Sequence, residues 1–302
     1  MHSYNSSAII RLFGLFSLIS FIVVHLNNLV YMANFRTSSL FHYTESKKSL
    51  LAIIKSGMLY PNFCEEDLST ENHPHYILGI PQICFCDIPI SLAEDIRQNY
   101  KPYAIAFTKK WGIENRCNPI QYVSNEAVID SAIHYWERLQ ELHKEESLAT
   151  ILRGDIGGYI KYIIDRSAYA NSIGFMKKYE SNWEGKDYCN YKENEWRYII
   201  PDVDDKIRWK TREQYNVWRW GDNYDSLSDK EKKKIHKPKP SDILKDRGLK
   251  FTAENITHII LKKDSDIKSF SESIMNIASF SDEDKYLLLT KITSFERISQ
   301  DY

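Results

Sequence analysis

The chain has no excess of either charge. Its 302 residues carry 40 Lys and Arg against 41 Asp and Glu. No global field therefore draws it to nucleic acid or to a membrane surface. It has no disulfide framework: five cysteines, an odd number, are scattered at Cys64, Cys84, Cys86, Cys117 and Cys189. That pattern reads as a reducing, cytoplasmic protein. No glycine-rich phosphate loop, no H-E-x-x-H and no G-x-S-x-G occurs, so three common routes to a reaction from local sequence are closed. Internal repeats and low-complexity stretches are also absent. Zinc held by Cys64, His73, His75, Cys84 and Cys86 lacks paired C-x-x-C spacing, and small buried residues explain these positions better, so no metal is assigned.

What is present supports a proper core, with 43% apolar and 13% aromatic residues. The stretch Leu40 to Pro61 sets the frame. Leu40, Phe41 and Tyr43 form a strand that Thr44 ends. Ser46 is placed to cap a helix over Lys47 to Ser56, whose Leu50, Leu51, Ile53 and Ile54 share one face, and Gly57 sits where a left-handed residue closes it. His42 is then an imidazole inside a strand.

Further along, Cys64 to Tyr76 reads as a polar loop, and Ile80 to Pro89 as a strand between prolines. Tyr103 to Thr108 is a strand, with Ile120 to Val123 as its hairpin partner. Glu126 to Leu152 has helical period, and residues of about 125 to 180 look like a helical insertion. Tyr188 to Pro201 returns to strand, with Glu195, Arg197 and Ile199 on one side and Trp196, Tyr198 and Ile200 on the other. A strand at THIILK, a helix from Asp266 to Ile277 and a closing strand from Leu287 to Ile298 complete the chain. Arg208, Trp209, Lys210, Arg212, Trp218 and Arg219 alternate aromatic and basic character. They could stack bases and neutralise phosphates, or simply pack tryptophans in the core.

The first 31 residues stand apart. Leu12 to Val24 is an apolar run behind Arg11, and Ile9 to Tyr31 reaches the length of a span. Three readings stay open: an anchor in the inner membrane, a signal peptide, or a start site placed too early, since Met32 opens a complete domain of residues 32–302.

Ionisable groups inside apolar strands need a reason to be there. Three qualify: His42, Asp87 and Glu195. Each also has a structural explanation: a hydrogen-bonded core histidine, a turn cap at Asp87, and a same-face ion pair of Glu195 with Arg197.

Five stretches in order resemble the abortive-infection Gi family, AbiGi: Phe41 to Thr44 (FHYT), Ile80 to Pro89 (IPQICFCDIP), Tyr103 to Phe107, Lys109 to Gly112 (KKWG) and Asn118 to Tyr122 (NPIQY). The resemblance spans roughly residues 40 to 200. More distantly, the first-strand histidine, the strand–helix–glycine opening and the late glutamate resemble ADP-ribosyltransferases, including the DarT type. What this implies is an α+β fold with a split, mostly antiparallel sheet, and phage defence by abortive infection. It further implies an enzyme that uses NAD to modify a nucleic acid or protein. In that case His42 would bind the adenosine ribose, with Tyr43 and Phe85 as stacking groups. Glu195 would be catalytic, stabilising charge at the anomeric carbon. The competing implication is a non-catalytic antitoxin or partner of a nucleotidyltransferase-like toxin encoded beside it. The enzyme reading expects His42 and Glu195 to face one cleft.

Overall fold

The computed structural model describes residues 37–92, 101–144, 172–183, 185–200, 209–232 and 244–301. The apolar N-terminal segment and most of the stretch after Lys144 lie outside these residues.

The opening unit forms as its sequence dictates. Strand β1 (Ser39–Thr44) leads to helix α1 (Lys47–Ser56). The Ser46 hydroxyl accepts the Ser49 amide, and Gly57 ends the helix at φ 60°, where a side chain would be strained. Strands β2 (Met58–Leu59), β3 (Asn62–Asp67) and β4 (Ile77–Cys86) follow. Next come β5 (Tyr103–Thr108), helix α2 (Lys109–Glu114), β6 (Asn118–Pro119), β7 (Gln121–Val123) and helix α3 (Glu126–Lys144). Then come β8 (Met176–Lys178), β9 (Glu180–Trp183), β10 (Lys186–Cys189), β11 (Glu195–Ile199), β12 (Lys210–Thr211) and helix α4 (Arg212–Trp220). The C-terminal part holds β13 (Leu249–Lys250), β14 (Ile256–Leu261), α5 (Ile267–Met275), α6 (Asp282–Leu289), β15 (Ile292–Ser294) and α7 (Phe295–Asp301).

The architecture is α+β around one mostly antiparallel sheet. Its main path runs β15-β14-β5-β1-β4-β11-β6, and β3 and β12 also pair with β4. Only β14 and β15 run parallel within it. The sheet forks at β4. Along one edge β3 and then β1 pair with it; along the other, β12 and then β11.

Alternation divides the side chains between two faces. On one face Leu40, Ile83, Phe85, Ile105, Phe107, Ile259 and Leu261 pack with Leu50 and Ile54 of α1 and Phe270 and Ile274 of α5. The other face carries two larger clusters and a small one of Cys86 and Ile88. Phe41, Ala104, Ala106 and Ile260 meet Phe295 and Ile298 of α7. Leu78, Ile80 and Ile199 meet Ile129, Ile133 and Trp136 of α3, together with Trp209.

Several expectations from sequence are corrected. The Ile120–Val123 region is not a hairpin partner of β5: β5 pairs with β1 and β14, whereas β7 runs parallel to β8. Part of the supposed loop after Cys64 is strand β3. The closing strand of Leu287 to Ile298 shrinks to three residues between α6 and α7. Ser281 caps α6 by accepting the Asp284 amide, and Asp282, Glu283 and Asp284 fill its first turn, a start signal that carries the leucines after it into helix and leaves Ile292 and Thr293 to strand β15. The alternating segment after Trp209 is mainly helix, closed at its front by a Thr211–Gln214 capping box.

Candidate functional site: a buried charge network and a divided residue set

Glu195, the first residue of β11, is 4% exposed, and Arg197 is fully buried. Two residues apart on a strand, they share a face. Arg197 Nε donates to Glu195 Oε1 at 2.6 Å and Nη2 to Oε2 at 3.1 Å. Nη2 also donates to Glu66 Oε1 of β3 at 2.6 Å. Nη1 donates to the carbonyl oxygens of Gly174 at 2.8 Å and Met176 at 3.4 Å. Lys177 of β8 donates to Glu193 at 2.8 Å and to Glu195 Oε2 at 3.0 Å. The Glu195 amide donates to the Tyr122 hydroxyl at 2.7 Å.

Three carboxylates thus meet two cations in a nearly dry space. Burial alone would push Glu195 up, but Arg197 and Lys177 bring it down to about 2. Burial pushes the Glu66 carboxyl above its ordinary range despite the same two cations. Lys177, for its part, is desolvated by burial, yet Glu195, Glu66 and Glu193 raise it above its ordinary value. The network ties β3, β8 and β11 together, and both Glu195 oxygens are already held.

The residues singled out from sequence do not converge. Phe41 and Glu195 each stand opposite Cys86, so Glu195 shares the Phe41 face. His42 points to the other face, where it pairs with Ile105 and its ring lies 5.8 Å from that of Phe85. The expectation that His42 and Glu195 face one cleft is therefore overturned: the sheet lies between them. The ring nitrogen Nδ1 of His42 is 2.9 Å from the Cys84 carbonyl oxygen. Burial lowers the His42 pKa and that hydrogen bond partly offsets it. Phe85, 1% exposed, meets Phe107 and Trp111 edge-on in the core. Tyr43 lies on the Glu195 face, stacked on Phe295 of α7 at 6.4 Å.

Asp87 belongs with neither set. Its carboxylate accepts from Lys109 at 2.7 Å, and the same Lys109 ammonium lies 5.6 Å from the Trp196 ring centre. In the aromatic–basic segment, Trp209 is core: 2% exposed, it donates its indole N–H to the Ile200 carbonyl at 2.9 Å. Lys210 lies over the Phe63 ring, and Arg212 holds Glu65 by two bonds at 2.8 and 3.1 Å. Arg208, and the side chains of Trp218 and Arg219, lie outside the described residues. His73, weighed as a zinc ligand, is bonded instead to Asp130 of α3 at 2.9 Å. Among the described residues no group of three or more His, Cys, Asp or Glu could hold a metal, and no helix is long and apolar enough to cross a membrane.

Sequence reasoning paired Glu195 with Arg197 but missed Glu66, Glu193, Lys177 and Tyr122. Glu193, two positions before Glu195, was the member within local reach; Lys177, Tyr122 and Glu66 lie 18, 73 and 131 positions from the residues they hold.

Fold and site together define an α+β protein whose buried strand charges answer one another across the sheet. The profile of the AbiGi family, described as an abortive phage resistance protein and antitoxin, matches residues 57–262. The chain belongs to the AbiGi family of abortive phage resistance proteins. The abortive phage resistance protein AbiGi of Lactococcus lactis subsp. cremoris is 32% identical over 152 residues, 45% of this chain and 57% of that protein. The chain thus spans little more than half the length of that relative. No solved structure matches this chain.

Proposed function

We propose that this chain is the antitoxin-type member of an abortive-infection pair, a binding module that engages a toxin polypeptide and performs no chemistry at Glu195. The observation that carries the reading is the saturation of the Glu195 carboxylate: 4% exposed, it is held by Arg197 and Lys177 at 2.6 to 3.1 Å. A carboxylate already neutralised in this way has little left to offer an oxocarbenium-like centre. The family's description as an antitoxin supports the same conclusion. One NAD would have to reach His42 on one face and Glu195 on the other.

The test is to express the product of the adjacent gene alone and together with this chain, and to score growth. The purified chain is also incubated with labelled NAD and with DNA, RNA and protein. Growth restored by the wild type, with no label transferred, is the expected result. Label transferred by the wild type and lost in Glu195→Gln, with unchanged melting, would restore the transferase reading.

A further inference from the structure

Beside the buried network lies a group of tyrosines, one of which, Tyr122, accepts from the Glu195 amide. Tyr191 is 54% exposed and Tyr179 37%. Their rings stack at 5.7 Å and 28°, and Tyr122 meets Tyr191 edge-on at 5.3 Å. Large rings held this far out of the core need a reason.

The platform is built rather than incidental. Its rings come from three separate segments: β7, the β8–β9 junction and the turn before β11. The Tyr179 amide donates to the Val123 carbonyl, and the Asn190 amide to the Tyr179 carbonyl, both at 2.9 Å. Asn190 is 4% exposed, donates its side-chain amide to the Lys178 carbonyl at 2.9 Å and accepts from Ser181 at 3.2 Å. Tyr122 is fixed from below by the Glu195 amide. Rings fixed in this way lose little further freedom on binding, which is the property of an interface anchor.

We propose that Tyr179 and Tyr191 form the anchor of the surface that docks the toxin polypeptide. The proposal rests on the antitoxin reading above. The partner is a folded protein offering a cleft for the two rings, with an acceptor for the Tyr191 hydroxyl; the Tyr179 hydroxyl is already bonded to Cys189. Charge favours a protein over a nucleic acid. Beside Tyr179 in the chain stand Lys178 and Glu180, and after Tyr191 come Lys192 and Glu193. That near-balance supplies no field for a polyphosphate.

The test measures, by calorimetry, the affinity of the full chain for the purified product of the adjacent gene. A single-stranded RNA oligonucleotide serves as the second probe. Tyr179→Ala with Tyr191→Ala should weaken toxin binding by about thirtyfold or more, the range of an interface hot spot. Melting should be unchanged. Tyr191→Ala alone, at the more exposed ring, should cost about tenfold and serves if the double variant melts lower. Tyr286→Ala, 62% exposed on α6, should bind like the wild type. Unchanged affinity in the tyrosine variants overturns this surface and leaves the antitoxin reading standing. No toxin binding by the wild type overturns both. Oligonucleotide binding that the tyrosine variants lose, with toxin binding intact, assigns the platform to RNA instead.

Discussion

Glu195 and Arg197, two residues apart on one strand, hold each other by two parallel hydrogen bonds of 2.6 and 3.1 Å inside the protein. The same guanidinium reaches across to Glu66 and up to the carbonyl oxygens of Gly174 and Met176. It therefore joins the sheet to the segment from Gly174 to β8. Removing one partner of such a group leaves the others charged and dry.

Glu195→Gln should accordingly lose about 3–5 kcal/mol of stability, as breaking a buried pair does. Urea denaturation measures it. If function depends on the fold and not on catalysis, the variant should recover toxin neutralisation when the cells are grown cooler. Loss of function at every temperature with a wild-type midpoint would point to chemistry instead.

The same network sets an acid limb. An ordinary glutamate near 4.5 sits at about 2 for Glu195 in the fold, so the folded state binds fewer protons in that interval. Its contribution is present above pH 4.5 and is lost as pH falls toward 2. Glu66 is shifted upward, so its contribution has the opposite sign and declines as pH rises above its ordinary value. Melting temperatures from pH 2 to 8 should show the acid limb flatten in Glu195→Gln and steepen in Glu66→Gln.

His42 titrates in a different window. Its folded pKa lies below the usual 6.5, so stability is complete above pH 6.5 and is lost as pH falls below it. His42→Gln should remove a first loss of stability that begins near pH 6.5, before the carboxylates respond. A wild-type profile flat between pH 7 and 5 would contradict this.

Phe85→Ala should act as a core deletion. The ring is 1% exposed among Phe107, Trp111 and His42, and its loss should cost about 3–5 kcal/mol. Arg212→Ala should cost at most about 1 kcal/mol, because its pair with Glu65 is half exposed on both sides. Chemical denaturation separates the two, and equal effects would refute the assignment of Phe85 to the core.

Gly174→Ala tests how tightly the segment from Gly174 to β8 is seated. A Cβ there would lie 2.6 Å from the Trp209 ring and 3.0 Å from the Ile199 side chain. Overpacking of this kind costs about 1–3 kcal/mol. A stabilised variant would show that the segment can move off the sheet.

Local chemistry was legible from the sequence alone. The β1–α1 unit, its Ser46 cap and the Gly57 stop appear where the residues place them, because each signal acts within a few positions. The pairing of Glu195 with Arg197 followed from the alternation of β11. What could not be read was distance along the chain. Lys177 and Glu66 lie 18 and 131 positions from the residues they hold, and no local pattern announces such partners. The faces of His42 and Glu195 depended on the register of β4 between β1 and β11, which single-residue precision decides. The tyrosine platform was invisible for the same reason, since its three rings come from separate segments.

The fork at β4 also sets an order of events during synthesis. Residues Gln82–Cys86 find their β11 partner more than a hundred positions later, and β5 waits still longer for β14. Pairings that span so much chain form slowly. A ribosome that has not yet passed Ile199 carries a chain whose β4 has one bare edge of main-chain donors and acceptors. Partial chains of this protein should therefore be targets for proteases and chaperones, and the tyrosine platform can exist only once translation has passed its last supporting strand.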